Sequence, residues 1–417
     1  MTTTAGRPDG LPAYLAVTAA YWAFMLTDGA LRMLVLLHFH ALGFTPVQLA
    51  YLFVLYEIAG MATNLCAGWL AARFGLTSTL YAGLVIQLAA LLALTRLDPN
   101  WSIGASVVFV MAVQGASGVA KDLTKMSAKS AVKWLAPAEG DGLFRWVAAL
   151  TGSKNAIKGL GFLLGAGLLA TLGFNGAVLA MAAALAVVLI GTAVAMPSGL
   201  PSGHKDAKFK DVFSTERNVN WLSAARVFLF GARDVWFVVG IPIYFYAVLS
   251  DGTTEGNRTA FFAIGFFMAV WIMLYGAVQA NTPRMLRANT RSTVQLMHAA
   301  SRWAWMLAAV PAALTLAALS ANGPSSWLTT VLVLGLLLFG ALFAVNSALH
   351  SYLILAFSRT DRVTLDVGFY YMANAGGRLL GTVLSGVSYQ LGGLALMLAV
   401  ATAMVATSAL ATTRLSA

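Results

Sequence analysis

The chain has 417 residues, 59% of them hydrophobic and only 10% charged, with a mean hydropathy of +0.79. No water-soluble domain of that length keeps so few charges on its surface, so a soluble globular fold is excluded and an integral, all-α membrane protein is expected. The formal net charge of +11 would suit nucleic acid or an anionic membrane surface, but no folded nucleic-acid-binding module accompanies it.

A hydrocarbon layer about 30 Å thick takes roughly 20 apolar residues per helix. Twelve stretches qualify, at 12–38, 46–71, 78–95, 101–127, 142–172, 174–196, 218–249, 259–281, 292–319, 325–356, 364–390 and 391–412. The first is too long, and too charged at Asp28 and Arg32, for a cleaved signal peptide. LGFTP at 42–46, LDPNW at 97–101, ANGPSS at 321–326 and QLGG at 390–393 read as short turns. The polar linker at 197–217 separates residues 1–196 from 218–417, six spans on each side. With the N-terminus inside, fifteen basic residues, among them Arg73, Lys129, Lys133, Arg145 and Lys205, fall in cytoplasmic segments, against Arg96 and Arg258 outside. Both termini are therefore expected to be cytoplasmic.

The even split suggests an internal repeat. Residues 24–42 lie over 230–248 at an offset of 206, which matches Asp28 to Asp234. KNAIKGLGFLLGAG at 154–167 lies over NAGGRLLGTVLSGV at 374–387 at an offset of 220, matching Lys158 to Arg378 and Gly161 to Gly381. Gly115 over Gly340, an offset of 225, sets Lys121 on Asn346 and Lys125 on His350. The three matches keep chain order, so two pseudo-symmetric six-helix bundles are expected.

Nine basic residues remain within the spans: Arg32, Lys121, Lys125, Lys154, Lys158, Arg226, Arg233, Arg302 and Arg378. Four acids are set against them, Asp28, Glu57, Asp122 and Asp234. Each charge at mid-bilayer costs about 2.5–3.5 kcal/mol even on a lenient insertion scale, so such an excess asks for an anionic guest in a wet cavity. KDLTKMSAKSAVK, 121–133, repeats lysine every fourth residue on one helix face. Lys121 and Lys125 are expected to face the cavity, and Lys129 and Lys133 to meet lipid headgroups at the cytoplasmic surface. Arg32 follows Asp28 by four, so an intrahelical ion pair competes with a substrate contact. Lys154 and Lys158 share a face and would repel each other unless an anion bridges them. Arg226 reads as a residue that reaches the inner surface, Arg233 as a deeper one. Arg302 and His298, four apart, suit a cytoplasmic helix end as well as a site.

Asp28, Glu57 and Asp234 are candidates for proton coupling, or else salt-bridge partners for Arg32 and Arg233. Asp122 reads as a neutraliser of its lysines. His38 and His40, two apart, point to opposite sides of a helix, which argues against a metal site and suits interfacial rings or a pH-sensitive gate. Cys66, the single cysteine, offers neither an internal disulfide nor a Cys-based metal site. No HExxH, phosphate-cradling Gly-rich loop or Ser/His/Asp set is present, so no enzyme activity, cofactor or metal is expected.

GWLAARFGLTSTL, 68–80, resembles the loop signature of the major facilitator superfamily at Gly68, Leu70, Arg73, Gly75 and Leu80, but has Ala72 where the family usually has Asp. Gly159, Gly161, Gly165 and Gly167 resemble its fifth-helix glycine motif without the proline. More narrowly, residues 21–40, 121–133, 150–162 and 228–242 resemble the organoarsenical efflux permeases (ArsJ type) of bacterial arsenic-resistance operons. That resemblance implies a bacterial inner-membrane exporter of 1-arseno-3-phosphoglycerate, paired functionally with a glyceraldehyde-3-phosphate dehydrogenase, and a monomer that confers arsenate resistance. Arg32, Lys121, Lys125, Lys154, Lys158, Arg233 and Arg378 are then the expected anion contacts, bidentate from Arg and point-like from Lys. An organophosphate/phosphate exchanger would use the same kinds of residue, whereas a drug/proton antiporter would want an acid-dominated aromatic pocket.

Overall fold

The computed structural model describes residues 10–135, 142–196, 214, 216–287, 291–321, 323–358 and 363–416. Apart from Glu216 and Arg217, the described part of the 197–217 linker is Ser214, and the expectation on Lys205 lies outside it. So do those on the side chains of Arg73, Lys129, Lys133 and Arg145.

Eleven α-helices make up nearly all of the described chain: α1 (Gly10–Ala41), α2 (Pro46–Tyr51), α3 (Val54–Leu94), α4 (Ile103–Leu135), α5 (Gly142–Ala195), α6 (Arg217–Val235), α7 (Ile241–Leu249), α8 (Thr254–Met285), α9 (Thr293–Ser320), α10 (Ser326–Phe357) and α11 (Val363–Thr412). Within them lie ten helical stretches long and apolar enough to cross a bilayer, and the protein is a multi-pass membrane protein.

Three helices are too long for one crossing. At about 1.5 Å per residue, the 54 residues of α5 would span more than twice the hydrocarbon thickness. Each long helix is broken by a glycine in the left-handed region: Gly75 (φ 74°) in α3, Gly173 (φ 68°) in α5 and Gly393 (φ 58°) in α11. A side chain with a Cβ would be strained there. The LGFTP turn is held by a capping box, Thr45 and Gln48 bonding each other's backbone amides, with Pro46 at the first helical position. Between α6 and α7 the chain passes through a π-helical turn, Trp236–Gly240, where the Ser385 hydroxyl accepts from the amides of Val239 and Gly240 at 3.3 and 3.2 Å.

Glycine faces let pairs of helices close on each other. Gly161 and Gly165 of α5 lie so near α1 that an added Cβ would strike the carbonyl oxygens of Leu26 and Ala30. Gly377 and Gly381 of α11 meet Val227 and Gly231 of α6 in the same way. Gly161 and Gly381, aligned by the repeat, thus occupy equivalent crossings. α2 and α3 in succession run beside α11 and splay from it. Gly386 packs on Pro46 and Ala50, and the Val47 amide donates to Gln390 Oε1 at 3.2 Å. At the other end a Cβ on Gly368 would only just reach Asn64, at 4.0 Å.

Candidate functional site

The intramembrane charges converge where α1, α3, α4, α6 and α11 meet. Glu57 of α3 is fully buried; it accepts from Arg32 of α1 at 3.3 Å and from Arg378 of α11 at 2.6 Å. Arg378 Nε lies 3.7 Å from Asp234 Oδ2, and Asp234 in turn accepts from its neighbour Arg233, Nε to Oδ1 at 2.6 Å. The signs alternate along Arg32, Glu57, Arg378, Asp234 and Arg233. A buried charge is tolerated only when paired and hydrogen-bonded, and this chain pairs each one.

A second cluster lies between α3 and α4. Asp122 accepts from Thr63 Oγ1 at 2.8 Å, Asn64 Nδ2 at 3.3 Å and Lys125 Nζ at 3.0 Å, with Lys121 Nζ at 3.9 Å. Lys125 also donates to Asn64 Oδ1 at 2.8 Å. Lys121 sits over the Tyr56 ring, 4.1 Å from its centre, and the Tyr56 hydroxyl donates to both oxygens of Asp28 at 2.8 and 3.0 Å. Residue 56 therefore joins Lys121 and Asp28 beside the Glu57 network.

The cations are thus less bare than their sequence positions imply. Five of them, Arg32, Lys121, Lys125, Arg233 and Arg378, share three carboxylates. The Asp28–Arg32 intrahelical pair does not form, because Glu57 takes Arg32 and Tyr56 takes Asp28. Asp122 does neutralise its lysines, and Glu57 and Asp234 are salt-bridge partners. Among the described residues no carboxylate lies within ion-pair distance of Lys158 of α5; its Nζ lies 5.7 Å from the centre of the Phe162 ring. Lys154 is one turn away, and its side chain is engaged by other groups.

Arg226 departs from expectation: it does not reach a membrane surface but is buried against Ser347 of α10. Arg302 and His298 are exposed on α9 and stand apart from the network. His38 stacks on Phe174 and His40 meets Tyr246 edge-on, so the two rings do not converge. The count of four intramembrane acids also needs correction, since Asp366 of α11 is 1% exposed and makes a fifth. Sequence reasoning missed Tyr56, Thr63 and Asn64 because neutral side chains carry no insertion penalty to mark them. Their one signal was spacing along α3: Tyr56 adjoins Glu57, and Thr63 and Asn64 follow that pair by seven residues, two helical turns.

A surface recess of about 630 Å³, lined by Trp101 and by Gly104, Ala105, Val108, Phe109 and Ala112 of α4, lies away from the charges. No protein-family model matches the chain, and no curated protein matches it. Solved structures do. A mutant of the nucleoside transporter NupG superposes with a TM-score of 0.69 at 14% identity, covering 97% of this chain and 98% of that one. A POT family transporter in complex with 5-aminolevulinic acid gives 0.72 at 14% identity, covering 97% and 96%. One in complex with a thioalcohol-conjugated peptide gives 0.71, at the same identity and coverage. Over its whole length, the chain is similar in fold to these membrane transporters.

Proposed function

We propose that the protein is a transporter of the major facilitator superfamily that exports a polyanionic organoarsenical ester, 1-arseno-3-phosphoglycerate, from the bacterial cytoplasm across the inner membrane. In this reading twelve crossings form two pseudo-symmetric bundles, 1–196 and 218–417. The breaks at Gly173 and Gly393 each divide one long apolar stretch into two crossings. The positive-inside bias puts both termini, and the splayed end of α3 and α11, on the cytoplasmic side.

One observation supports the reading: among the described residues at the centre, six basic ones, Arg32, Lys121, Lys125, Lys158, Arg233 and Arg378, are set against four carboxylates, Asp28, Glu57, Asp122 and Asp234. An arriving dianion offers the guanidiniums better partners than a shared carboxylate does. It would draw Arg378 from Glu57 and engage Lys158, loosening the ion pair that joins α3 to α11. That exchange is a differential contact of the kind alternating access requires. Of the three acids considered for proton coupling, Asp28 is held by a hydroxyl rather than a cation, and it is the one assigned that role here.

Everted vesicles fed the ester by a glyceraldehyde-3-phosphate dehydrogenase with arsenate test the proposal. Lys158→Ala and Arg378→Ala should each cut flux at limiting substrate by roughly ten-fold or more, the worth of one charge-assisted hydrogen bond. Arg302→Ala should leave it unchanged. Wild-type flux in both site variants would overturn the site. Counterflow of labelled phosphate without arsenical would assign the same site to an organophosphate/phosphate exchanger.

A further inference from the structure

A second group of buried polar side chains, separate from the central network, gathers between α6, α8, α10 and α11. Arg226 donates from Nη1 to the carbonyl and the hydroxyl of Ser347, both at 3.3 Å, and its guanidinium lies 3.8 Å from the Phe230 ring centre and 5.0 Å from that of Tyr370. Tyr275 and Gln279 of α8 reach the same Ser347 hydroxyl at 3.3 and 3.2 Å. His350 lies one turn along α10 from Ser347, and Asp366 one turn before Tyr370 on α11. His350 is fully buried and Asp366 nearly so.

Several atoms of these side chains have no hydrogen-bond partner among the described residues: Arg226 Nε, both ring nitrogens of His350, both carboxylate oxygens of Asp366, Oδ1 of Asn346 and Oδ1 of Asn374. Buried polar atoms in folded proteins are almost always hydrogen-bonded to protein or to ordered water. An anion site would offer donors alone, and a cation site acceptors alone. This set mixes both, which is the complement of water.

We propose that this cluster is a hydrated proton-binding site whose acceptors are Asp366 and His350. A hydronium in the water file hands its proton to a carboxylate oxygen or to the imidazole nitrogen and remains behind as water. Among the described residues, the charged and titratable groups at the site are Arg226 from α6, Tyr275 from α8, His350 from α10 and Tyr370 from α11, with Asp366 one turn before Tyr370; on the side of α3 and α4, Lys125 lies 5.8 Å from the Tyr371 ring centre. On α9, His298 and Arg302 are exposed instead. Asp366, Tyr370, Asn374 and Arg378 follow one another at four-residue steps along α11, so a single helix connects the proton site with the ion pairs of Glu57 and Asp234. The assignment needs a membrane-spanning chain and not the organoarsenical cargo.

Two substrate-free measurements on the full chain in lipid nanodiscs test it. In radiolytic footprinting, where bound water is the source of the labelling radical, wild-type His350 and Tyr370 should be modified several-fold faster than Trp271, which is equally buried but packed among aromatic rings. In infrared difference spectra between two pH values, a carboxyl band should vanish in Asp366→Asn and an imidazole band in His350→Gln. Labelling no faster than that of Trp271 overturns the proposal, and this arm needs wild type alone. A wet cluster whose difference spectrum is the same in wild type and in both variants overturns the proton assignment. Neither result depends on whether the export reading stands.

Discussion

The two halves of the chain bury polar groups by different rules. In the first half Asp122 is closed in on both oxygens, by Thr63, Asn64 and two lysines. In the second, Asp366 is equally buried, and among the described residues neither of its oxygens has a donor and neither nitrogen of His350 has a partner. Leaving a buried group unsatisfied costs its full desolvation, about 1–3 kcal/mol and more for a charge. Asp122 finds its counter-groups on neighbouring side chains, while under the proposal above those of Asp366 and His350 are water molecules. The two sites occupy aligned positions of the repeat, Lys121 over Asn346 and Lys125 over His350.

Substitutions can sharpen or break that contrast, with stability read from thermal or denaturant unfolding in detergent. The largest effect belongs to Glu57→Ala, which strands Arg32 and Arg378 without a shared anion and should cost about 3–5 kcal/mol. Asp122→Asn should cost roughly 2 kcal/mol, less because Lys125 keeps Asn64 as an acceptor and is partly exposed. Gly165→Val probes the scaffold itself by forcing Cβ methyls into the Ala30 carbonyl, for a loss of about 1–3 kcal/mol. The smallest effect is expected of His350→Leu, within about 1 kcal/mol of wild type, because it removes groups that already lack protein partners. Should His350→Leu cost as much as Asp122→Asn, the two halves would be equally self-satisfied and the contrast would be gone.

Much of this was legible in residue order alone. Gly75 lies inside the 68–80 signature and Gly393 inside QLGG, and both became helix breaks. The alignment of Gly161 with Gly381 anticipated two equivalent helix crossings. The error on Arg226 has a physical source: distance along a helix from the membrane edge says how far a side chain can reach, not whether Ser347 and Tyr370 offer it a nearer partner. Asp366 was passed over because it sits two residues inside a span boundary, where hydropathy cannot tell a solvated carboxylate from a buried one.

Spans, breaks and the positive surplus are local properties, set by hydropathy over some twenty residues and by the φ that glycine permits, so the amino-acid order was enough to determine them. Which anion serves which cation was decided by the tertiary structure. Glu57 and Arg378 are 321 residues apart and Glu57 and Arg32 are 25 apart. Coulomb attraction in a low dielectric acts through a few ångströms of space, and only helix packing determines which residues come that close.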